Sequence, residues 1–395
     1  MIKASAVICE CNPLHLGHEY VFTNAKDQTD CVVAIMSGNF VQRAENAVFD
    51  KYTRAEALCR CGVDLVVELP FPWSSASAEY FASAGVSVAD ALGVHSLIFG
   101  ATQKDISVIK AIAEILRAHS EELHMLNRTE INIGAASVRE DYLANLCGEE
   151  TREILRSPND ILAVEYCKAI LTKKISLEPQ SVPRISENEN ASFRSASALR
   201  ATLLSDSVET LQPHIPPSAY DVFQREWLNK RAAFPQALGN LEFQHFRMNQ
   251  CSLNESAEGA GGVLERLRNA AAYARDSREM FDLAATKKYT NARFRRAALF
   301  SLLNVSAQAL ARMPLFTVVL AANRTGCAYL AQIRKTAKMQ IITKPSDIQS
   351  LSAEERKQYD KLCEADRLYT LCMQEVQPAD FFLKKSPWIE VTPKS

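Results

Sequence analysis

The sequence predicts an α/β fold: a doubly wound parallel sheet over residues 1–203, then a mainly helical region over 204–395 that carries a small α/β tail. Three observations predict it. Short, almost wholly apolar runs alternate with helical patterns four times between residues 4 and 99, as in a parallel sheet whose faces are covered by helices. Those runs end in turns with small and polar residues, at the place where an open α/β sheet binds ligands. Beyond about residue 204 the strand pattern gives way to prolines and helical pieces.

The first strand is Ala4 to Cys9, and a helical pattern covers 19–26. Between them lies Glu10-Cys11-Asn12-Pro13-Leu14-His15-Leu16-Gly17-His18. A helix that begins at this turn offers free backbone N–H groups and a positive dipole end to an anion. Gly17 removes a side chain where a phosphate must approach the backbone. His15 and His18 are three apart and share the mouth of the helix. Two imidazoles there are donors already in place for charge that grows on phosphate oxygens during attack at an α-phosphate. The plainer reading is a helix start with two ordinary histidines.

The second strand is the apolar run 31–36, with Ser37, Gly38 and Asn39 at its carboxyl end; the residues alone fit a ligand contact or a simple turn. Gln42, Arg43, Lys51 and Arg54 follow, and the three cations are suitable partners for a triphosphate or a leaving pyrophosphate. A helix over 53–60, a strand over 64–68, a helix over 76–92 and a strand over 96–99 complete the alternation, with Gly100 at the end of the last. A helix spans 106–126. Ser157-Pro158-Asn159-Asp160 is a cap signal for a helix over 161–171. Arg184 stands at the end of a strand over 176–182, and Ser195, Ser197 and Arg200 open the next helix.

Past residue 204, the segment 213–238 is proline-bearing with helical pieces, and the small, polar run 251–262 reads as a loop. Helices over 263–285 and 291–307 flank and carry Lys287, Lys288, Arg293, Arg295 and Arg296, with Tyr289 and Phe294 interleaved and no acidic residue from Thr286 to Leu299. That composition fits an RNA-backbone surface; it also fits a solvated helix face. The tail alternates a strand (316–321), a helix (326–336), a strand (339–343) and a helix (354–373).

A chain of 395 residues with 47% hydrophobic and 23% charged residues is an ordinary globular protein of two or three domains. A net charge of −1 excludes nucleic-acid binding through overall positive charge but leaves room for a local basic face. The eleven cysteines are odd in number and contain no Cys-x-x-Cys pair, so reduced thiols in a cytoplasmic protein are expected, without a disulfide-linked partner or a metal site. No run reaches the roughly 20 apolar residues of a membrane span.

The run at 15–18 resembles the H-x-G-H signature of the nucleotidyltransferase superfamily, which has a Rossmann-like (HUP-type) fold. Met36-Ser37-Gly38-Asn39-Phe40-Val41-Gln42-Arg43, Asp50-Lys51-Tyr52-Thr53-Arg54-Ala55-Glu56 and Gly62-Val63-Asp64-Leu65-Val66-Val67-Glu68-Leu69-Pro70 narrow the resemblance to the tRNA(Met) cytidine acetate ligase family. Ser157-Pro158-Asn159, Lys287-Lys288-Tyr289-Thr290 and Ile341-Ile342-Thr343-Lys344 extend it nearly to the C-terminus. The resemblance implies activation of acetate by ATP, with magnesium as the usual companion of ATP and no evident protein ligand for it. The acetyl-adenylate would then acetylate the exocyclic amine of the wobble cytidine of elongator tRNA(Met), giving N4-acetylcytidine.

It implies catalytic roles for His15 and His18, with Lys51 and Arg54 assisting. ATP contacts would run from Val7, Ile8, Cys9, Glu10, Cys11, Asn12, Pro13 and Leu14 through Leu16, Gly17, Glu19 and Tyr20, with Ser37, Gly38, Asn39, Gly100, Asn159 and Arg184 added. The basic cluster from Lys287 to Arg296 would hold the tRNA. The chain departs from the family pattern at Ala44 and Asn46, where glycine and proline are usual, and at Thr102, where an acid is usual. Two rival classes remain on the residues alone: an enzyme that adenylates a small metabolite, and a silent RNA-binding relic of the fold.

Overall fold

The computed structural model describes residues 1–129, 134–185, 192–248 and 256–390, so the first part of the 251–262 loop lies outside the described residues. The chain builds an eight-stranded sheet from β1 (Ala4–Cys9), β2 (Cys31–Ser37), β3 (Leu65–Leu69), β4 (Ser96–Ala101), β5 (Glu178–Pro183), β6 (Phe316–Ala322), β7 (Gln340–Ile342) and β8 (Trp388–Ile389). The strand order is β5-β4-β1-β2-β3-β6-β7, with β8 also paired to β6. The five strands from β5 to β3 run parallel. Every residue of β1, β2 and β3 is buried, which is why those runs lack the alternation of a half-exposed strand.

The chain winds from β1 outward through β2 to β3, then returns to the other side of β1 for β4 and β5. The strand order therefore reverses between β1 and β4, and a crevice opens at their carboxyl ends. The helix Leu16–Lys26 lies between β1 and β2 in sequence and contacts both β2 and β4. The helix Pro158–Lys173 packs on Ala78–Ala91 and Ile106–Ala118 and brings its N-terminus to the same crevice.

The sheet does not stop at residue 203. β6 pairs antiparallel with β3, so the small α/β tail of the C-terminal region extends the first sheet. Helix Arg324–Ile333 starts against β3: Asn323 N–H donates to the Asp64 carbonyl at 2.9 Å, and a Cβ on Gly326 would fall 2.0 Å from that oxygen. Only glycine fits so close a backbone. One apolar core runs from Ala4 to Phe382 through both halves. A second, smaller core is built from Phe246, Val263, Leu267, Met280 and Phe294, on the helices Pro235–Arg247, Val263–Tyr273, Ser277–Ala284 and Asn291–Leu302.

Three long helical patterns are each broken. Residues 106–126 divide at His119, the C-cap of Ile106–Ala118. Residues 263–285 divide where Asp276 caps a new helix by accepting from Glu279 N–H at 2.8 Å. Residues 291–307 divide because Asn304 takes a left-handed φ of 49° and Ser306 caps the short helix Ala307–Ala311. Among the described residues no helix is long and apolar enough to cross a membrane.

Candidate active site

His15 is the N-cap of the first helix. Its Nδ1 accepts from Gly17 N–H at 3.0 Å, and His18 Nδ1 accepts from His15 N–H at 3.3 Å. A ring nitrogen that accepts carries no proton, so each neutral ring is left with its proton on Nε2. The rings lie 3.8 Å apart, tilted by 39°. A Cβ on Gly17 would come within 2.9 Å of His15 Cε1, so glycine at this position gives the His15 ring its place. Both rings resist protonation. Burial lowers His18 to about 4, helped by the charge of Arg184, and burial with His18 and Arg184 holds His15 well below its usual value. The pair is thus two neutral N–H donors side by side at a helix N-terminus.

The crevice between β1 and β4 is a pocket of about 420 Å³ that His15, Gly17 and His18 line. Val7, Ile8, Cys9 and Glu10 of the first strand and its turn, Tyr20, Gly100, Asn159 and Arg184 line it as well. So do Gln42, Arg43, Ser195, Ser197 and Arg200. Arg200 Nη1 donates to the Asn12 carbonyl at 2.8 Å, and its Nη2 lies 3.5 Å from Glu45. Burial raises the Glu10 carboxyl, whose Oε1 accepts from Gln42 N–H at 2.9 Å.

Other expected contacts lie elsewhere. Cys11, Asn12, Pro13 and Leu14 are buried beside the pocket without lining it, and Leu16 and Glu19 do not line it either. Asn12 Oδ1 accepts from Val48 N–H at 2.9 Å, so this side chain anchors the loop after β2. Ser37, Gly38 and Asn39 are likewise buried away from the pocket. Asn39 holds Lys51 N–H on its Oδ1 at 2.8 Å and donates from Nδ2 to Asp366 at 2.9 Å. The helix Ala353–Thr370 therefore occupies the carboxyl end of β2.

Lys51 and Arg54, expected at the phosphates, are buried and do not line the pocket. Lys51 Nζ lies between Glu68, at 3.0 and 2.9 Å, and Asp366 at 2.8 Å. Arg54 donates to the carbonyls of Phe49 (2.9 Å), Glu10 (2.5 Å) and Gly38, stitching the ends of β1 and β2 to the loop that follows β2. Burial disfavours charge on both side chains; the two carboxylates hold Lys51 protonated, whereas the Arg54 guanidinium is pushed down from its usual range.

The basic cluster is only partly free. Arg296 pairs with Glu258 at 3.1 Å, Arg293 donates to the Ala260 carbonyl at 3.0 Å, and Arg295 pairs with Glu45. Arg293 also stacks 4.3 Å over Tyr289, Lys287 is exposed, and Lys288 is half-buried. The acids that meet this cluster are 35 or more residues away, so a scan of 286–299 could not find them.

The pocket also has an apolar wall absent from the sequence reading: Phe81, Phe99, Leu162 and Tyr166, with Phe99 and Tyr166 5.6 Å apart. The end of β4 is fixed by Asp160, whose carboxylate accepts from Thr102 N–H at 2.7 Å and Gln103 N–H at 3.2 Å. Asp160 was readable as a helix-start acid but not as a strand-end clamp. Ala44 has a left-handed φ of 55°, a conformation that glycine takes freely and alanine at about 1 kcal/mol. Among the described residues no group of three or more His, Cys, Asp or Glu is placed to hold a metal ion.

Comparison with known proteins agrees with this geometry. A family model described as HIGH Nucleotidyl Transferase matches residues 2–381. The tRNA(Met) cytidine acetate ligase of Syntrophotalea carbinolica is 31% identical, with 88% of this chain and 86% of the relative covered. That of Caldanaerobacter subterraneus subsp. tengcongensis is 30% identical, with 96% and 98% covered. A crystal structure of Thermotoga maritima TmcAL bound with alpha-thio ATP superposes with a TM-score of 0.89 at 27% identity, covering 98% of this chain and all of that one. With a nucleotide-sized crevice at the β1–β4 switch, a pinned pair of neutral imidazoles and these relatives over nearly its full length, the chain belongs to the HIGH nucleotidyl transferases and, among them, to the tRNA(Met) cytidine acetate ligase family.

Proposed function

We propose that this chain joins acetate to the wobble cytidine of elongator tRNA(Met) at the expense of ATP, by way of acetyl-adenylate. The observation that carries the reading is the His15–His18 pair, each Nδ1 tied to the backbone and each Nε2 left as a neutral donor in the pocket that takes the nucleotide. A carboxylate oxygen of acetate attacks the α-phosphorus, and the bond from that phosphorus to the bridging oxygen breaks, releasing pyrophosphate. Negative charge gathers on the non-bridging and leaving oxygens, where two fixed N–H donors lower the barrier. Arg184, Arg43 and Arg200 supply positive charge around the triphosphate, and the Phe99–Tyr166 wall suits the adenine face. In the second step the exocyclic amine of the cytidine attacks the acetyl carbon, AMP leaves, and the amine loses a proton. A magnesium ion that arrives with ATP would be held by the phosphates and would neutralise charge on them; the pocket carboxylates Glu10 and Glu45 are already bonded to Gln42 N–H and to Arg200 and Arg295.

The test is label from radioactive acetate in acid-precipitable tRNA, with ATP, magnesium and tRNA(Met) present. The expected result is incorporation that requires ATP, yields AMP and pyrophosphate, and proceeds without acetyl-coenzyme A. ATP–pyrophosphate exchange with a different acid and no label in tRNA would replace this reading with that of a metabolite-adenylating enzyme.

A further inference from the structure

A second pocket, of about 360 Å³, lies on the other side of the 43–46 loop, between helices Pro235–Arg247, Ser277–Ala284 and Asn291–Leu302. Glu45 lines both pockets, so the second adjoins the nucleotide site. Two of its lining residues have buried polar atoms with nothing to bond to. Asn46, 1% exposed, has neither Nδ2 nor Oδ1 partnered. Glu242, 3% exposed, leaves Oε1 unpartnered. Orphaned buried groups of this kind are costly, and two in the wall of one cavity mark a place where a polar ligand would satisfy them. Around them are Leu238, the ring of Phe281 and the guanidinium of Arg295 on the basic helix.

We propose that this pocket receives a nucleobase splayed out of the tRNA, with the amidine edge of an adenine or cytosine set against the carboxyl of Glu242 and its remaining polar edge against the Asn46 amide. The inference rests on the reading of the chain as a tRNA-modifying enzyme. A neutral carboxyl has one acceptor and one donor side by side. Adenine and cytosine present a complement, an amino group beside a bare ring nitrogen, and lose one of the two bonds when the carboxyl ionises; guanine, whose ring N–H and amino group both donate, would instead bind the ionised carboxylate more tightly. Phe281 offers a ring for stacking, as RNA-binding sites use for unstacked bases. The neighbouring basic residues hold the backbone from which the base turns out.

The charge state agrees with this geometry. Burial pushes Glu242 up to about 8 against the opposing charge of Arg295, so it is protonated at neutral pH. The other charged or titratable groups near it are Arg278, Asp282 and Glu45 in the pocket wall and the Cys372 thiol. Above about pH 8 the carboxyl loses its donor, and affinity for the base falls as pH rises. In glutamine the same pair of donor and acceptor is permanent.

The experiment measures the dissociation constant of a tRNA(Met) transcript, and acetate-dependent ATP–pyrophosphate exchange without tRNA, for the full-length chain and its Glu242→Leu, Glu242→Gln and Asn46→Ala variants at pH 7 and pH 9. Expected are a tRNA affinity lowered about 5- to 100-fold by Glu242→Leu at pH 7, as for loss of a bidentate base contact, and unchanged exchange. Wild type weakens between pH 7 and 9, and Glu242→Gln removes that change. If Glu242→Leu does not fold, the pH dependence of wild type against Glu242→Gln and the loss in Asn46→Ala decide. Normal exchange with tRNA affinity indifferent to all three substitutions and to pH overturns the pocket. Absence of exchange in wild type instead overturns the acetate-activating reading on which it rests.

Discussion

Replacing His18 with alanine is expected to lower tRNA acetylation by about 10²–10³-fold, the usual loss when one fixed donor to a developing oxyanion is removed. The same factor should be visible in acetate-dependent ATP–pyrophosphate exchange, because the donor acts in the first step. Binding of tRNA should stay within about threefold of wild type, since the ring lies in the pocket between β1 and β4 proposed for the nucleotide. Retention of exchange with loss of acetylation would move His18 to the second step and would sink the assignment made for it. Asparagine at 18 keeps a donor and should recover part of the rate. The ring also leaves a pH signature on stability. Folded His18 titrates at about 4 against an ordinary value of 6.5, so between these limits the unfolded chain binds more protons than the folded one. Stability should therefore fall as pH drops from about 6.5 toward 4, and His18→Asn should flatten that fall in urea melts across the range.

Lys51 is the second position at which a large effect is expected, on stability. Its ammonium sits between two buried carboxylates, and burial raises the pKa of both Glu68 and Asp366 despite the lysine charge. Lys51→Met leaves those carboxylates facing each other without a counter-charge, which should cost about 3–5 kcal/mol. Urea unfolding measures it. Adding Glu68→Gln to Lys51→Met should recover a substantial share by removing one orphaned charge, and nucleotide turnover per folded molecule should stay close to wild type. A Lys51→Met chain of normal stability that has lost ATP–pyrophosphate exchange would show instead that the lysine acts at the phosphates.

The contrast between His18 and Lys51 shows what was legible in the linear chain. The strands through β5, the crevice at their ends and the His15–Gly17–His18 turn are local features, each set by a few neighbouring residues. They could be read from apolar runs, glycines and caps. The part played by Lys51 depends on Asp366, 315 residues away, and the state of Arg295 depends on Glu45 across 250 residues. A cation near a predicted phosphate site can be catalytic or structural, and its partner is set only by the fold. Some misses were local. Asp276-Ser277-Arg278-Glu279 is a readable cap signal inside the single helix expected over 263–285. The antiparallel entry of β6 against β3 had no local sign, because Phe316–Ala322 reads as a buried strand whichever neighbour it finds.

The pairing of β3 with β6 bears on how such an enzyme can be divided. A chain cut near residue 203 would end its sheet on Leu65–Leu69, an apolar ribbon with its hydrogen-bonding side bare and open to any passing strand. It would also strip Asp64 of Asn323 and leave Lys51 without Asp366. The natural seam lies elsewhere. The helices from Pro235 to Leu302 carry their own core and enter and leave the chain on the same side of β6 in sequence, as a cassette between two segments of one sheet. An architecture of this kind allows the helical cassette to vary in size and surface while the sheet, sealed by the returning tail, stays whole.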